Sequence, residues 1–580
     1  MLPCTDVRTP VALYLVALLV RVAFLALFPD PAYPDSSYYA DVARAINSGH
    51  GLNVDFVWIF AEVGGRLPAD AHLPIPSNAH WMPLASLVQV PFLALFGGSQ
   101  FAAGLPFALA GALAAPLTWA IAREAGAKPI VGVAAGLLAA SPAASAVFFS
   151  QPDNFGFYQP LVAAALLFTA RALKRRRPWE FALAGLLVGL ATLARNDGVL
   201  VGATVGLAFA WDRWRAWRAG RAARRIVKSE GVPFAAAAAG PTIPVWAAAA
   251  CFGLFLLVVA PWFARQLSVF GSLLPSSQSG RVLYIRDIAE WNSITTPATL
   301  SYLLGQGFGP LLMSRLGGLV AAIEIYGVLV GSVFLVPLLV AGAWLRRRSV
   351  DFGPFFVYAF ILFAFSAIVS AVHVPGGTFI HSAVALAPHS YVLAMEGILA
   401  GVAWIARRRR TWSVDSAGRV FVGGAVALAL ATSVVYGLAV INGWDAIRQQ
   451  RITVANELVA IGASQDDRLL SIDAAAYRYY TGRGGVVTPD DPIDTIRDVA
   501  RAYGTRWLIL ERREIVRALA PVLKGGPRPE WIGPPAFSKQ APSTDPVLAA
   551  YPAIAIYPVC FDAVDTRCAA TAAVPASPAP

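Results

Sequence analysis

The run VALYLVALLVRVAFLALF, residues 11–28, passes directly into PDPAYPDSSYYADVARAINSGHG, residues 29–51. The first piece is apolar over a length that crosses a hydrocarbon core. The second has the periodicity of a helix. Asp35, Tyr38 and Tyr39 stand at i, i+3 and i+4 and share one face, which Val42 and Ile46 continue. If 11–28 is a membrane span, this helix lies at its mouth, with an acidic N-terminus. The fold class turns on that reading.

Composition supports the span. The 580 residues are 57% hydrophobic and 14% charged, and mean hydropathy is +0.60. Apolar runs near 20 residues recur, as in a polytopic membrane protein. The net charge of +12 would suggest nucleic acid in a soluble chain. Here the basic residues sit in short clusters between apolar runs, so they read as topology signals, and no nucleic-acid partner is expected.

Candidate spans lie near 11–28, 102–122, 129–149, 158–173, 179–194, 198–212, 243–263, 317–345, 353–372, 381–405 and 419–441, eleven in all. The basic clusters are Arg123 with Lys128, KRRR 174–177, seven Lys and Arg between 213 and 228, RRR 346–348 and RRRR 407–410. With the N-terminus inside, all five fall inside. This requires PLASLVQVPFLALF, 83–96, to be an interfacial helix, because counting it as a span would put every later cluster outside. The pair 179–194 and 198–212 reads as a hairpin. The first run lacks a small-x-small cleavage site before Pro29 and reads as an anchor. Arg21, costly in lipid, should face the helix bundle and be paired there.

Three large outer pieces follow: loop 29–101, loop 264–316 and the tail 445–580. In the tail, RLLSID 468–473, VVT 486–488 and WLILE 507–511 read as strands. PIDTIRDVARAYG 492–504 and REIVRALAPVL 513–523 read as helices. Strand–helix alternation argues a small α/β domain for packing or acceptor docking, with no glycine-rich phosphate loop. The division is thus a membrane domain, 1–444, and a soluble domain, 445–580. Cys560 and Cys568 are close enough in sequence to pair if the tail lies outside; Cys4 and Cys251 look incidental. No cysteine or histidine spacing suggests a metal. The lack of an Asn-x-Ser/Thr sequon fits a prokaryotic protein.

The polar chemistry gathers on the outer side. Loop 29–101 carries Asp30, Asp35, Asp41, Asp55, Glu62 and Asp70 with His50, His72 and His80. Asp153 stands in SQPDNFGFYQP, 150–160, at a span end. Arg265 stands one turn past another, in PWFARQLSVFGSLLP, 261–275; Arg281, Arg286, Arg315, His373 and His381 share that side. No comparable charge pairs lie at mid-membrane except Glu324 and Glu396. A lipid-linked phosphate calls for arginine, which clamps its oxygens with charge-assisted bonds. An acceptor hydroxyl or amine calls for a carboxylate as general base. Asp35 and Arg265 meet both needs. Asp35 also suits a helix cap, Arg265 an interfacial snorkelling arginine, Asp153 a helix N-cap, and the two tyrosines packing.

These pieces, in this order, resemble the GT-C glycosyltransferases that use polyprenyl-phosphate sugars, such as protein O-mannosyltransferases and the lipid A aminoarabinose transferase. The likeness rests on PDSSYYADVARAINSGHG after a first span, HWMPLASLVQVPFLALFGGSQFAAGLP 80–106, QPDN 151–154, LATLARNDGVLV 190–201, PWFARQLSVFGSLLP 261–275 and GGTFIHSAVALAP 376–388. It implies a polytopic α-helical membrane protein of about eleven spans with a C-terminal extracytoplasmic α/β domain. It implies an inverting transfer of a sugar from a polyprenyl-phosphate donor to a lipid, glycan or protein acceptor, at the outer face of a bacterial cytoplasmic membrane. By resemblance Asp35 is the base, Asp153 a second acid, Arg265 a phosphate ligand with Arg281 and His381 beside it, and His80, Tyr38 and Tyr39 supporting residues. Loop 264–316 would cover the donor. No cofactor is implied, and a divalent cation shared by Asp35 and Asp153 stays open. Two departures stand out: Ser36 follows Asp35 where many relatives carry a second acid, and HWMP replaces the usual His-Pro-Pro. A transporter or flippase of lipid-linked saccharides is the alternative, and it would place functional charges at mid-membrane and repeat its halves.

Overall fold

The computed structural model describes residues 7–230, 242–276, 283–286, 290–369, 378–409, 411–543, 545–562, 565 and 567–568. The chain divides into two compact units. One takes residues 1–30, 81–268 and 306–442; the other takes 31–80, 269–305 and 443–580. The second unit is larger than a tail beginning at 445, because residues 31–80 and 269–305 cluster with it.

The first unit is helical. Eight helices of the described chain are long and apolar enough to cross a membrane: Arg8–Leu27, Gln100–Glu124, Phe155–Arg175, Val245–Phe270, Phe308–Leu329, Val350–Val369, Phe379–Ala406 and Val414–Ala460. A bent pair, Pro129–Ala140 with Ala144–Ser150, makes a ninth if counted as one span. The remaining expected spans are shorter or differently divided. Pro178–Ala194 has 17 residues, and 198–212 opens the 33-residue helix Gly198–Glu230. The stretch 317–345 is not one span: Phe308–Leu329 ends in a turn with Ser332 and Val333 at positive φ, and Val336–Arg346 starts afresh at Pro337. Residues 83–96 form two short helices, Leu84–Leu87 and Val90–Leu95.

Alanine and glycine set the packing, as expected where helices meet without a hydrophobic gain over lipid. A Cβ on Gly342 would sit 1.9 Å from the Leu393 carbonyl oxygen, and one on Gly397 equally close to that of Leu338. Helices 336–346 and 387–406 therefore touch backbone to backbone.

Arg21 faces this bundle, 1% exposed. One terminal nitrogen donates to the carbonyls of Ala17 (3.1 Å) and Ala140 (2.8 Å), the other to Ala139 (3.2 Å). Its guanidinium also lies 5.1 Å from the Phe149 ring centre. Helix 129–140 ends at this point, and the two arms of the pair differ in direction by 62°. The break frees carbonyls that have no water to bond, and Arg21 satisfies two of them.

The second unit is built on a six-stranded sheet. Its strands are β2 (Phe56–Val57), β4 (Arg468–Ser471), β5 (Gly485–Val487), β6 (Thr505–Glu511), β7 (Phe537–Lys539) and β8 (Ile554–Pro558); β1 (Asn53–Val54) and β3 (Ile75–Pro76) form a separate ribbon. The order is β2-β5-β4-β6-β8-β7, parallel from β2 to β6 and antiparallel beyond. The three expected strands are present, and the first outer loop adds β2 at the edge. Helix Ile493–Ala502 buries Ile496, Val499 and Ala500. The helix expected over 513–523 forms only in its second half, as a 3-10 turn at Arg517–Leu519 running into a short helix at Ala520–Leu523. Arg512 is tied to the carbonyls of Leu548, Tyr551 and Ala541, and Pro521 allows only a new turn at Ala520–Leu523. Cys560 and Cys568 are joined by a disulfide.

Candidate functional site

In the second unit, Asp35 lies in the first turn of helix Pro34–Asn47, half-buried. The N-cap position belongs to Tyr33, in extended conformation, and Pro34 supplies the preset φ of the first helical residue. Ser36, the residue that replaces the second acid, ties down the two residues before the helix. Its Oγ accepts from the N–H groups of Ala32 (2.9 Å) and Tyr33 (3.0 Å) and donates to the Tyr33 carbonyl (2.8 Å). Asp35 adds a charge where the helix dipole favours it.

Tyr38 and Tyr39 are each 2% exposed. The Tyr38 hydroxyl donates to Glu62 Oε1 (2.9 Å) and accepts from the Asn78 N–H (2.7 Å), while Glu62 Oε2 accepts from the Trp58 N–H (3.0 Å). Tyr38 thus staples helix 34–47 to two later turns of the outer loop. Burial raises the Glu62 carboxyl to about 7, against the two hydrogen bonds that favour its charged form. The Tyr38 hydroxyl is pushed well above its ordinary value, first by burial and then by Glu62. His80 places Nδ1 3.1 Å from Ser276 Oγ, linking the first outer loop to the loop that begins at 264.

That second loop is held at 291–296. The Trp58 indole donates to Asn292 Oδ1 (3.0 Å), and Asn292 Nδ2 donates to the Thr488 carbonyl (2.6 Å). Asp491 accepts from the Ser293 hydroxyl (2.6 Å), the Ile294 N–H (2.7 Å), the Thr295 N–H (3.3 Å) and the Thr295 hydroxyl. Thr488 and Asp491 follow the carboxyl end of β5, where open α/β sheets usually take their ligands. Here the chain's own loop lies against those residues.

In the first unit, Asp153 is fully buried just before helix Phe155–Arg175. The N-cap there is Asn154, not Asp153. Asp153 Oδ1 accepts the Asn154 N–H (2.6 Å), and Oδ2 lies 3.5 Å from His381 Nδ1. The same Nδ1 is 3.2 Å from Asn154 Oδ1, and the imidazole stacks on Phe155 at 4.4 Å between ring centres. His381 therefore faces the second acid. Next to it, the Ser382 hydroxyl donates to Asp197, whose other oxygen accepts from Arg195 Nε (2.9 Å). Residues 381–382 are bonded to two turns, 153–154 and 195–197. A carboxylate and an imidazole are also donors that a divalent cation accepts.

Arg265 is half-buried on helix 245–270. It donates to Gln266 Oε1 (2.9 Å), and its guanidinium lies 5.0 Å from the Trp262 ring centre. Arg281 and His373 lie outside the described residues. The sequence reading gave no role to Asn154, Asp197, Ser382 or Asp491, and named Glu62 only among the acids of the first loop. NDG after an apolar span was a signal for Asp197; Asp491 had none, since an aspartate in a turn is ordinary.

Residues 79–227 match the sequence model of the family described as dolichyl-phosphate-mannose-protein mannosyltransferase. No curated protein matches the chain. Among solved structures, ArnT from Cupriavidus metallidurans bound to undecaprenyl phosphate aligns with TM-score 0.50 at 15% identity, over 94% of this chain and 97% of that one. The oligosaccharyltransferase of Archaeoglobus fulgidus in its apo form aligns with TM-score 0.46 at 12% identity, over 87% and 70%. The chain shares the multi-pass helical fold of the ArnT structure, with a stranded C-terminal region.

Proposed function

We propose that this protein is an inverting glycosyltransferase. It moves a sugar from a polyprenyl-phosphate donor to a hydroxyl or amine acceptor at the outer face of a bacterial cytoplasmic membrane. Asp35 takes the acceptor's proton as the acceptor atom bonds to the anomeric carbon. The carbon–oxygen bond to phosphate breaks, and polyprenyl phosphate leaves with the electron pair. Arg265 holds that phosphate and stabilises its growing charge. Asp153, steadied by His381, is the second acid. The reading requires no cofactor.

The observation that carries this is the placement of Asp35. It follows the first span, half-buried, in the first turn of a helix whose N-cap position belongs to Tyr33. The fold likeness to a protein crystallised with undecaprenyl phosphate supports the donor class. The disulfide of the second unit suits an oxidising, extracytoplasmic compartment. Two of the charges within the spans are otherwise engaged: Arg21 on carbonyls, and Glu396 with Arg346 of the RRR cluster (2.7 Å).

The test compares purified wild type with Asp35→Asn on a panel of polyprenyl-phosphate sugars, following release of polyprenyl phosphate with and without a chelator. Loss of a general base should cost about 10²–10⁴-fold in turnover while donor binding persists. Equal turnover in both proteins would overturn the assignment. Loss of turnover with chelator would add a divalent cation to the mechanism.

A further inference from the structure

The basic clusters of the first unit are not alike. KRRR 174–177 is neutralised inside the protein. Lys174 pairs with Asp351 (2.8 Å), Arg175 with Glu124 (3.1 Å), Arg176 with Asp212 (2.5 Å) and Arg177 with Glu180 (3.4 Å). Helix Gly198–Glu230 differs. Its residues 211–222, WDRWRAWRAGRA, contain four arginines and one acid. That acid, Asp212, is buried and taken by Arg176 and by the Ile243 N–H (3.0 Å). Arg213, Arg215, Arg218 and Arg221 are exposed, and none has a carboxylate partner among the described residues. Arg213 bonds only a hydroxyl, Thr242 Oγ1, at 2.9 Å.

Tryptophans alternate with these arginines. Trp211, Trp214 and Trp217 are 57%, 40% and 55% exposed. Arg218 lies over Trp214 at 4.9 Å and Arg221 over Trp217 at 4.6 Å. The same pairing recurs at the ends of two other helices that carry basic clusters, Arg347 over Trp344 at 4.1 Å and Arg408 over Trp404 at 3.8 Å. A soluble surface does not leave such rings uncovered. At a membrane–water boundary the indole is at home in the headgroup layer, and the guanidinium above it can reach phosphate. The level fits. The 176–212 ion pair fixes the end of the 178–194/198–230 hairpin beside Trp211 and Trp179, and the helix runs on past that end.

We propose that the face formed by Arg213, Arg215, Arg218 and Arg221 with Trp211, Trp214 and Trp217 is a binding site for the phosphate headgroups of anionic phospholipids. Four unneutralised arginines on one helix demand a partner of opposite charge. The interleaved indoles demand one that presents an apolar layer next to it. An anionic lipid surface offers both within one molecule; an acidic protein segment offers only the first.

The site can be tested without reference to transfer activity. Purified full-length protein in neutral detergent would be titrated with short-chain phosphatidylglycerol and phosphatidylcholine, and retained lipid counted by native mass spectrometry. Wild type should retain phosphatidylglycerol preferentially. The quadruple variant Arg213→Gln, Arg215→Gln, Arg218→Gln, Arg221→Gln should lose at least about tenfold of that preference, since each cation near an anionic surface contributes on the order of fivefold. A second variant, Trp214→Ala with Trp217→Ala, should weaken retention of phosphatidylglycerol while keeping the sign of the preference. An unchanged lipid preference in the quadruple variant would overturn the proposal. So would binding of a polyglutamate peptide equal to that of the lipid, which would mark the face as a protein-docking surface.

Discussion

Oδ2 of Asp153 lies 3.5 Å from Nδ1 of His381, in a part of the first unit where both side chains are buried. The sequence placed His381 with the donor phosphate. The geometry gives it a different first contact, the Asp153 carboxylate. The two roles separate cleanly in a variant. His381→Ala should lower turnover by about 10–100-fold, the usual cost of removing a group that orients a functional side chain, with donor affinity unchanged. A fall in donor affinity at constant turnover would return His381 to the phosphate. Donor binding by titration and donor-dependent release, measured on the same preparation, read the two apart.

Asp491 accepts four hydrogen bonds from residues 293–295. A carboxylate so fully engaged fixes the loop segment that the proposed reading puts over the donor. Asp491→Ala leaves those donors unmet, and should cost about 3 kcal/mol locally, given the penalty for orphaned partners of a charged acceptor. Amide exchange at 292–296 should accelerate sharply while the β4–β6 strands stay protected. Unchanged exchange there would show that Trp58 and Asn292 hold the loop without Asp491.

Much of this arrangement could be read from residues, and the failures have physical causes. β4, β5 and β6 were legible because they are apolar runs bounded by turn residues. β2 was not, since two residues carry no period and take their conformation from pairing with Gly485 and Val486. Residues 513–523 have helical spacing, but the tertiary bonds of Arg512 and the ring of Pro521 override part of it. The span expected over 317–345 fails for a local reason, the turn at 330–335, which hydropathy averages over. The units escaped the sequence because 31–80, 269–305 and 443–580 are joined only by folding. Asp35 was singled out by its position after a span; Asp153 was singled out too, but its contact with His381, 228 residues away in sequence, was not.

The Tyr38–Glu62–Asn78 staple should make the second unit sensitive to pH. Burial raises Glu62 to about 7, so the folded state holds its proton more tightly than the unfolded chain does. Glu62 therefore costs nothing below the ordinary glutamate range, and its cost grows as pH rises from there to about 7. Above that the penalty is constant, on the order of 3–4 kcal/mol. Glu62→Gln should flatten this part of the stability profile between pH 4 and 8. Thermal melts followed by tryptophan fluorescence across that range would show it; parallel profiles for both proteins would remove Glu62 as the cause.

Arg21 offers the sharpest test of the membrane fold. It is buried without a carboxylate partner among the described residues, and spends its charge on the carbonyls of Ala17, Ala139 and Ala140. Those of Ala139 and Ala140 belong to the end of a broken helix, where the dipole is negative and no water replaces a lost donor. Gly111 makes room for it: a Cβ there would come within 2.9 Å of Arg21 Nε. Arg21→Met keeps the bulk and removes the donors, and should destabilise by about 2–4 kcal/mol. Arg21→Lys keeps the charge on a shorter reach with no planar fork, and should recover only part of that loss. Gly111→Val should destabilise with Arg21 present and much less in the Arg21→Met background, because the clash goes with the guanidinium. Melting temperatures of the four proteins in one detergent give the cycle, and strictly additive losses would refute the fit between Gly111 and Arg21.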